Sequence, residues 1–428
     1  MLIGLFVAVI LLTGASAQTF KAGFGKRDIT PQGDNIPMWG YGARHDMPAK
    51  GTRDPLYAKA LVLEVGDETI ALVGLDLGRA PTFRSMAIIR EHCRKGGVEH
   101  ILLSGSHTHH GPVIELLDEE GYGKGKFDEA IDYVADLERN VTAAILEARE
   151  NAVPAKIGWA MEDTDLNRNR HTKIQPKPTD PELAVLKLES LDGDPIAILV
   201  NFAAHPTIAD ILDRRWTSEW PGQMQNTVEA ALGTNCFFMQ GAAGDMSPNT
   251  NDSRRGVDGF GKAFGEKVVE LAKTIEPTVP ETPEILVLPE EKFAFETRID
   301  LDNPLIVGTF KQMFFPEITA MLEELPNNTI YPRLNTALIN GELALATGSG
   351  EFFCEHANRL KAESAAHETL FIGYCNGHQM YFPTEKAVEE GGYGADPSVS
   401  WVPPTAGKEM IDKALVNIEQ LVGMSARK

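Results

Sequence analysis

The sequence is short of cysteine, of histidine and of positive charge, and each shortage excludes something. Its four cysteines (Cys93, Cys236, Cys354 and Cys375) are scattered with no C-x-x-C pair, so they do not make a thiolate zinc site. Four cysteines allow three disulfide pairings, but Cys236 stands in an apolar, strand-like run that suits a buried free thiol at least as well. With 40 Lys and Arg against 61 Asp and Glu, the formal net charge is −21. That balance argues against nucleic acid as a partner and against electrostatic docking on anionic membranes. Beyond the N-terminus no uncharged apolar run approaches the roughly 20 residues needed to cross a bilayer, which excludes stable membrane insertion. Internal repeats and low-complexity linkers are absent as well. What is present, 43% hydrophobic and 24% charged residues over 428 positions, is the composition of a packed α/β or similar globular chain.

The N-terminus reads differently. An apolar run from Leu2 to about Leu12, followed by Ala15-Ser16-Ala17, has the h-region and small-residue cleavage site of a secretory signal peptide, though without a Lys or Arg before it. The run is too short to span a bilayer. The expected organisation is a signal peptide over 1–17 and one domain over 18–428, exported to the periplasm or secreted after cleavage near Ala17.

Periodicity gives strands and helices throughout. Strand-like runs at 56–65 and 69–76 make a hairpin, and 99–104, 183–189, 196–203 and 235–240 are further strands. Helical spacing covers 81–95, 127–150, 222–232, 259–274 and 308–324, and a last helix spans 406–422. Strands at 333–339 and 342–347 precede a helix beginning near Glu351, and the strand 368–374 leads into a Gly-rich loop. The mixture predicts an α/β fold, a mixed sheet flanked by helices. The stretch 280–345 could form a subdomain, but a single domain is simpler.

Only 11 histidines are present, so their positions carry information. The segment from Ser104 to Pro112 runs a hydrophobic strand into His107, His109 and His110. Residues two apart at a strand end face the same way, so His107 and His109 can converge on one metal or one substrate. A second buried strand delivers His205 into a turn. After a third strand, Gly241 to Asn249 offers Asp245, Ser247 and Asn249 in alternation. There Ser247 is a candidate nucleophile that needs activation, and a capped polar turn is an equal reading. Glu351 follows the apolar strand before Gly348-Ser349-Gly350, where helix capping is the plainer role. Asn376 to Thr384 carries Tyr381, with Tyr393 further along, though tyrosines in a Gly-rich loop are usually packing or hydrogen-bonding residues. The cluster Met313-Phe314-Phe315 could line a lipid path, though core packing suits it better.

In this order the pieces resemble the catalytic domain of the neutral (alkaline, non-lysosomal) ceramidases over nearly the whole length after the signal. The carrying residues are Asp28-Ile29-Thr30, Gly40-Tyr41, Ser104 to Pro112, Asn167-Arg168, His205, Gly244 to Asn249, Gly350-Glu351, and Tyr381 with Tyr393 twelve residues later. The resemblance implies one Zn2+ per chain held by His107, His205, Glu351 and Tyr381. It also implies that His109, Arg168 and Tyr393 line the reacting carbonyl and that Ser247 sits beside the metal, as nucleophile or orienting group. The implied reaction is hydrolysis of the amide of an N-acylated amine, ceramide or a related lipid. Relatives that cleave ceramide carry a C-terminal immunoglobulin-like domain not expected here, and Glu219 stands where relatives usually have Asp. A hydrolase of another amide or ester, such as an acylated sugar or peptide-like substrate, stays open. So does an exported binding protein without catalysis.

Overall fold

The computed structural model describes residues 18–44, 47–313 and 325–427. Its largest element is an eight-stranded sheet built from β1 (Phe20–Asp28), β2 (Tyr57–Val65), β3 (Glu68–Leu75), β4 (His100–Gly105), β5 (Val153–Asp163), β7 (Glu182–Ser190), β8 (Pro195–Phe202) and β9 (Asn235–Gln240), with the short β6 (Asn167–Asn169) outside it. The spatial order is β4-β3-β2-β1-β5-β7-β8-β9. Strands β3 and β4 pair in parallel, as do β8 and β9; the other neighbours are antiparallel.

Alternation along these strands decides the layering. In β2, Ala58, Ala60 and Val62 face one way and Leu61, Leu63 and Val65 the other, and all six are buried. A strand buried on both faces needs a layer on each side. On one side lie the helices α1 (Phe83–Lys95), α2 (Asp128–Glu150), α3 (Glu219–Leu232) and α4 (Gly256–Thr274), which share cores with the first set and with Val185, Val200 and Phe238. On the other lies a second sheet of Ile285–Val287, Thr336–Ile339, Leu343–Thr347 and Glu368–Ile372, whose Ile339, Leu345 and Ile372 meet Leu61 and Leu63. The helices Cys354–Glu363 and Ala406–Ser425 cover its far face through Leu360, Met410 and Ile418. The layers run helix, sheet, sheet, helix.

The large sheet curls until its first and last strands face each other, with β9 lying against β3 and β4. This approach requires glycine in β3: a Cβ on Gly74 would lie 2.4 Å from the carbonyl oxygen of Phe238. The curl brings the C-terminal ends of β4, β8 and β9 into one place, and the candidate site sits there.

Most expected elements occur within a few residues of their predicted bounds. Of the strands in the 280–345 stretch, Ile285–Val287, Thr336–Ile339 and Leu343–Thr347 belong to the second sheet, while Glu291–Lys292 with Arg333–Leu334 and Phe295–Glu296 with Thr329–Ile330 form two small separate pairs. Glu351 lies in a two-residue strand, Glu351–Phe352, and the helix begins only at Cys354. The eleven-residue β5 had no clean alternation to reveal it, since most of it is half-buried or exposed. The helix expected at 308–324 runs from Pro304 to Met313, its remainder and the Met313-Phe314-Phe315 side chains lying outside the described residues, as does the segment 1–17. All four cysteines are buried free thiols. Among the described residues no helix is long and apolar enough to cross a membrane.

Candidate metal centre and cavity

Strand β4 ends at Gly105, and the chain then turns through His107 with φ 70°, a left-handed conformation that non-glycine residues rarely adopt. Hydrogen bonds from the Ser106 and His107 amides to the Leu75 and Leu77 carbonyls hold that turn at 2.7 and 2.9 Å. Strand β8 ends at Phe202, and His205 is fixed by its own amide donating to the Met246 carbonyl, 3.1 Å away. Gln240, at the end of β9, ties the two turns together. Its amide nitrogen donates to the carbonyls of Ser106 (3.0 Å) and Ala204 (2.9 Å), and its oxygen accepts from the Ala204 amide (3.2 Å).

The facing wall comes from the second half of the chain. The strand Glu351–Phe352 pairs in parallel with Tyr381–Phe382, which sets Glu351 beside Tyr381. Residues 374–376 are pinned to the edge of β4: the Asn376 side chain donates to the Ile101 carbonyl (2.8 Å) and accepts from the Leu103 amide (3.0 Å).

At the centre, two imidazoles and a carboxylate converge. His107 Nδ1 lies 2.7 Å from the Gly78 carbonyl and His205 Nδ1 lies 2.6 Å from the Ala243 carbonyl. A carbonyl only accepts, so each Nδ1 carries the hydrogen and each neutral ring is left with a bare Nε2. Both Nε2 atoms point at Glu351 Oε2, at 3.4 Å from His107 and 3.1 Å from His205. Protonating His205 is no remedy: burial, then Arg170 and His107, push it down to about 3. Glu351 stays ionised, because the surrounding imidazoles outweigh its burial and hold it well below the usual carboxylate range. Acceptors converging in a buried space, each imidazole tied to a carbonyl through its other nitrogen, suit a metal ion, and the groups close enough to hold one are His107 with His109 and His205, and His107 with Glu351 and His378.

Tyr381 joins the group through Arg170. One terminal nitrogen of that guanidinium lies 2.8 Å from His205 Nε2, 3.1 Å from the Tyr381 hydroxyl and 3.0 Å from the Gly244 carbonyl. His109 Nε2 is 3.2 Å from His107 Nε2, and burial, then His107 and His205, hold its pKa far down. A Cβ on Gly40, at φ +103°, would collide with the His109 ring at 2.5 Å, so the turn before Tyr41 must be glycine. Tyr393 packs against Tyr381 with ring centroids 5.6 Å apart.

Arg168 is a correction. It lies on the exposed face of β6, and Arg170, two residues on in Asn167-Arg168-Asn169-Arg170, reaches the site instead. The sequence holds two Asn-Arg pairs in succession, and only folding chooses between them. Ser247 sits opposite Arg168 in the β6–β10 pairing, β10 being Met246–Pro248. Directly paired residues point the same way, so Ser247 shares the face of Arg168. Among the described residues it makes no hydrogen bond to the histidines. Two further side chains were not expected: Tyr374, whose hydroxyl is 3.4 Å from Glu351 Oε2, and His378, whose Nε2 is 3.3 Å from Oε1. His378 stood within the Asn376–Thr384 motif, so its residue type was a signal.

His107, His109, Glu351, His378, Tyr381 and Tyr393 line a cavity of about 990 Å3, counting the space open to solvent. Met38, Val113, Leu325, Ile330, Val399 and Trp401 make apolar walls. Glu115 and Arg79 are a buried pair in the same lining, 3.3 Å apart, with Trp39 Nε1 donating to Glu115 at 2.8 Å.

Residues 20–260 match the family model described as neutral/alkaline non-lysosomal ceramidase, N-terminal, more than half of the chain. The chain belongs to that family. Among curated relatives, the neutral ceramidase of Drosophila melanogaster is 24% identical over 285 residues, 59% of this chain and 40% of that protein. The neutral ceramidase of Pseudomonas aeruginosa is 23% identical over 258 residues, 54% of this chain and 37% of that one. The chain thus spans about two fifths of the length of these relatives. The crystal structure of neutral ceramidase from Pseudomonas aeruginosa superposes with a TM-score of 0.71 at 17% identity, over 95% of this chain and 75% of that one, which establishes the shared fold.

Proposed function

We propose that this member of the ceramidase family is an exported zinc hydrolase that cleaves the amide of an N-acylated amine, ceramide or a related N-acyl lipid. The observation that carries the reading is the convergence of His107 Nε2, His205 Nε2 and Glu351 Oε2, with His107 and Glu351 lining a largely apolar cavity. Zinc held by these residues and Tyr381 would supply the Lewis acid that polarises the scissile carbonyl.

The chain's own residues divide the remaining work. Arg170, half-buried, and Tyr393, at the exposed rim, direct hydrogen-bond donors at the oxygen on which negative charge develops. Gln240 and the Gly78 and Ala243 carbonyls keep the two imidazoles oriented. His109 stands beside them, its Nε2 3.2 Å from His107 Nε2, and lines the reacting carbonyl. The apolar walls take the acyl chain and exclude water from it. Ser247 acts through its strand, since the Met246 carbonyl beside it holds His205. Export follows from the N-terminal apolar run and its Ala15-Ser16-Ala17 end.

The test is metal analysis and hydrolysis of a fluorogenic N-acyl amine by the wild type and His107→Ala side by side. One zinc per chain with turnover, both lost in the variant, is expected. A wild type without bound metal would overturn the reading.

A further inference from the structure

The chain carries a net charge of −21, yet the eleven residues from Asn167 to Lys177 hold Arg168, Arg170, His171, Lys173 and Lys177 and no acid. Part of this basic run lies beside the metal centre. One terminal nitrogen of Arg170 reaches His205 and the Tyr381 hydroxyl, and the same residue lines a second cleft of about 650 Å3, counting the space open to solvent. Tyr393 lines both that cleft and the apolar cavity, so the two spaces adjoin at this residue.

The bonds that build the cleft leave its cations unspent. The His171 ring donates through Nδ1 to the Tyr393 carbonyl (3.0 Å), which ties the basic run to the loop that carries Tyr393. Glu390, the carboxylate in the lining, accepts from the Thr172 hydroxyl on one oxygen and the Lys173 amide on the other, both at 2.6 Å. Its charge is thus already met by protein donors, while the Lys173 ammonium makes no hydrogen bond or ion pair with a described residue. Gly391 and Gly392 turn the loop at φ 73° and 95°, and the amides of Gly392 and Tyr393 donate to no described residue.

An N-acylated amine has two arms, one on each side of its carbonyl. The acyl arm suits the apolar cavity, and the arm on nitrogen needs a different space, which the cleft across Tyr393 and Arg170 offers. A neutral amine portion would gain little among cations, whereas a carboxylate or phosphate would take charge-assisted hydrogen bonds from Arg170 and Lys173. We infer that this cleft is a binding site for an anionic group on the amine portion of the substrate, so that the enzyme favours N-acyl amines whose leaving amine carries a carboxylate or a phosphate. This rests on the hydrolase reading above for the placement of the carbonyl.

Binding is read by calorimetry on the protein as purified, with ketone analogues in which a methylene replaces the amide nitrogen and blocks cleavage. One pair ends in a carboxylate or its primary carboxamide, the other in a phosphate or the matching hydroxyl. In at least one pair the wild type should bind the anion about tenfold more tightly than its neutral partner, as a hydrogen bond to a charged group allows. The pair with the larger ratio tells carboxylate from phosphate. Lys173→Glu should bring that ratio to one or below, while Lys262→Glu, the same charge change on α4 outside the cleft, should keep it. Wild-type ratios near one in both pairs overturn the inference, as does a ratio that survives Lys173→Glu or falls equally in Lys262→Glu. Turnover of the parent amides is measured alongside. An anion preference without turnover upholds the cleft and sinks the hydrolase reading, and turnover without the preference does the reverse.

Discussion

The two walls of the site are made differently. The wall from the large sheet gives imidazoles from turns that follow β4 and β8, each a buried strand ending in a histidine. The facing wall gives Glu351 and Tyr381 from the paired two-residue strands Glu351–Phe352 and Tyr381–Phe382, and Tyr374 and His378 from the loop after Glu368–Ile372. The first wall lies within the stretch matched by the family model, residues 20–260, and the second lies beyond it. A metal centre spread over both needs each wall rigid by itself and a fixed distance between them. The large sheet meets the first need by closing its curl with Gln240. The small wall depends on the Glu351–Tyr381 register and on Asn376 docking on β4.

The largest expected effect comes from disabling the second wall alone. Glu351→Gln removes the charge that the imidazoles face, and bound metal and hydrolysis should both fall to background while the fold persists, as elemental analysis and circular dichroism would show. Arg170 spans the walls, touching His205 on one and Tyr381 on the other. Arg170→Ala should lower kcat/KM by about 10²–10³, the size expected for one oxyanion donor, with the metal largely retained. Gln240→Leu acts on the first wall only. It strands the carbonyls of Ser106 and Ala204, which should cost about 2–3 kcal/mol in denaturant unfolding and weaken metal binding about 10–100-fold.

A smaller effect separates the His205 turn from the rest. Glu219, at φ 61°, accepts from the amides of Ile208, Ala209 and Trp220, and burial raises its pKa from 4.5 to about 7 despite those bonds. A carboxyl raised in the folded state stabilises the fold below its unfolded pKa and loses that contribution as the pH rises through the folded value. Stability should therefore decline between about pH 4.5 and 7 on this account, and Glu219→Gln should flatten the decline. The smallest effect is expected of Arg168→Ala and Ser247→Ala, assayed together with Arg170→Ala. Each should keep most activity, and a collapse with Ser247→Ala would make the hydroxyl a participant after all.

How far these walls could be read in advance differs for a physical reason. A histidine at the end of a long apolar strand is visible because the strand itself is visible, and β4 and β8 were expected nearly at their observed bounds. Glu351 has no such frame. Its two-residue strand carries no period, and a carboxylate near a helix start reads first as a cap. The choice between Arg168 and Arg170 hung on which residue of a three-residue strand faces inward, a matter of register that sequence spacing does not fix. His378 was in view as a residue type, but an imidazole in a loop becomes meaningful only when a carboxylate is found beside it.

By itself the sequence determined the alternation of strands and helices, the lack of any C-x-x-C pair, and the family to which the ordered motifs pointed. Those are properties of local pattern and composition, which act over a few residues. The tertiary structure alone decided that the large sheet curls back on itself, that a second sheet covers it, and that Arg170 and His378 join the histidines. Each of those depends on contacts between residues far apart in the chain, such as Gly74 against Phe238 and His378 against Glu351. Such contacts take their meaning from distance and direction in space, which a linear spacing does not hold.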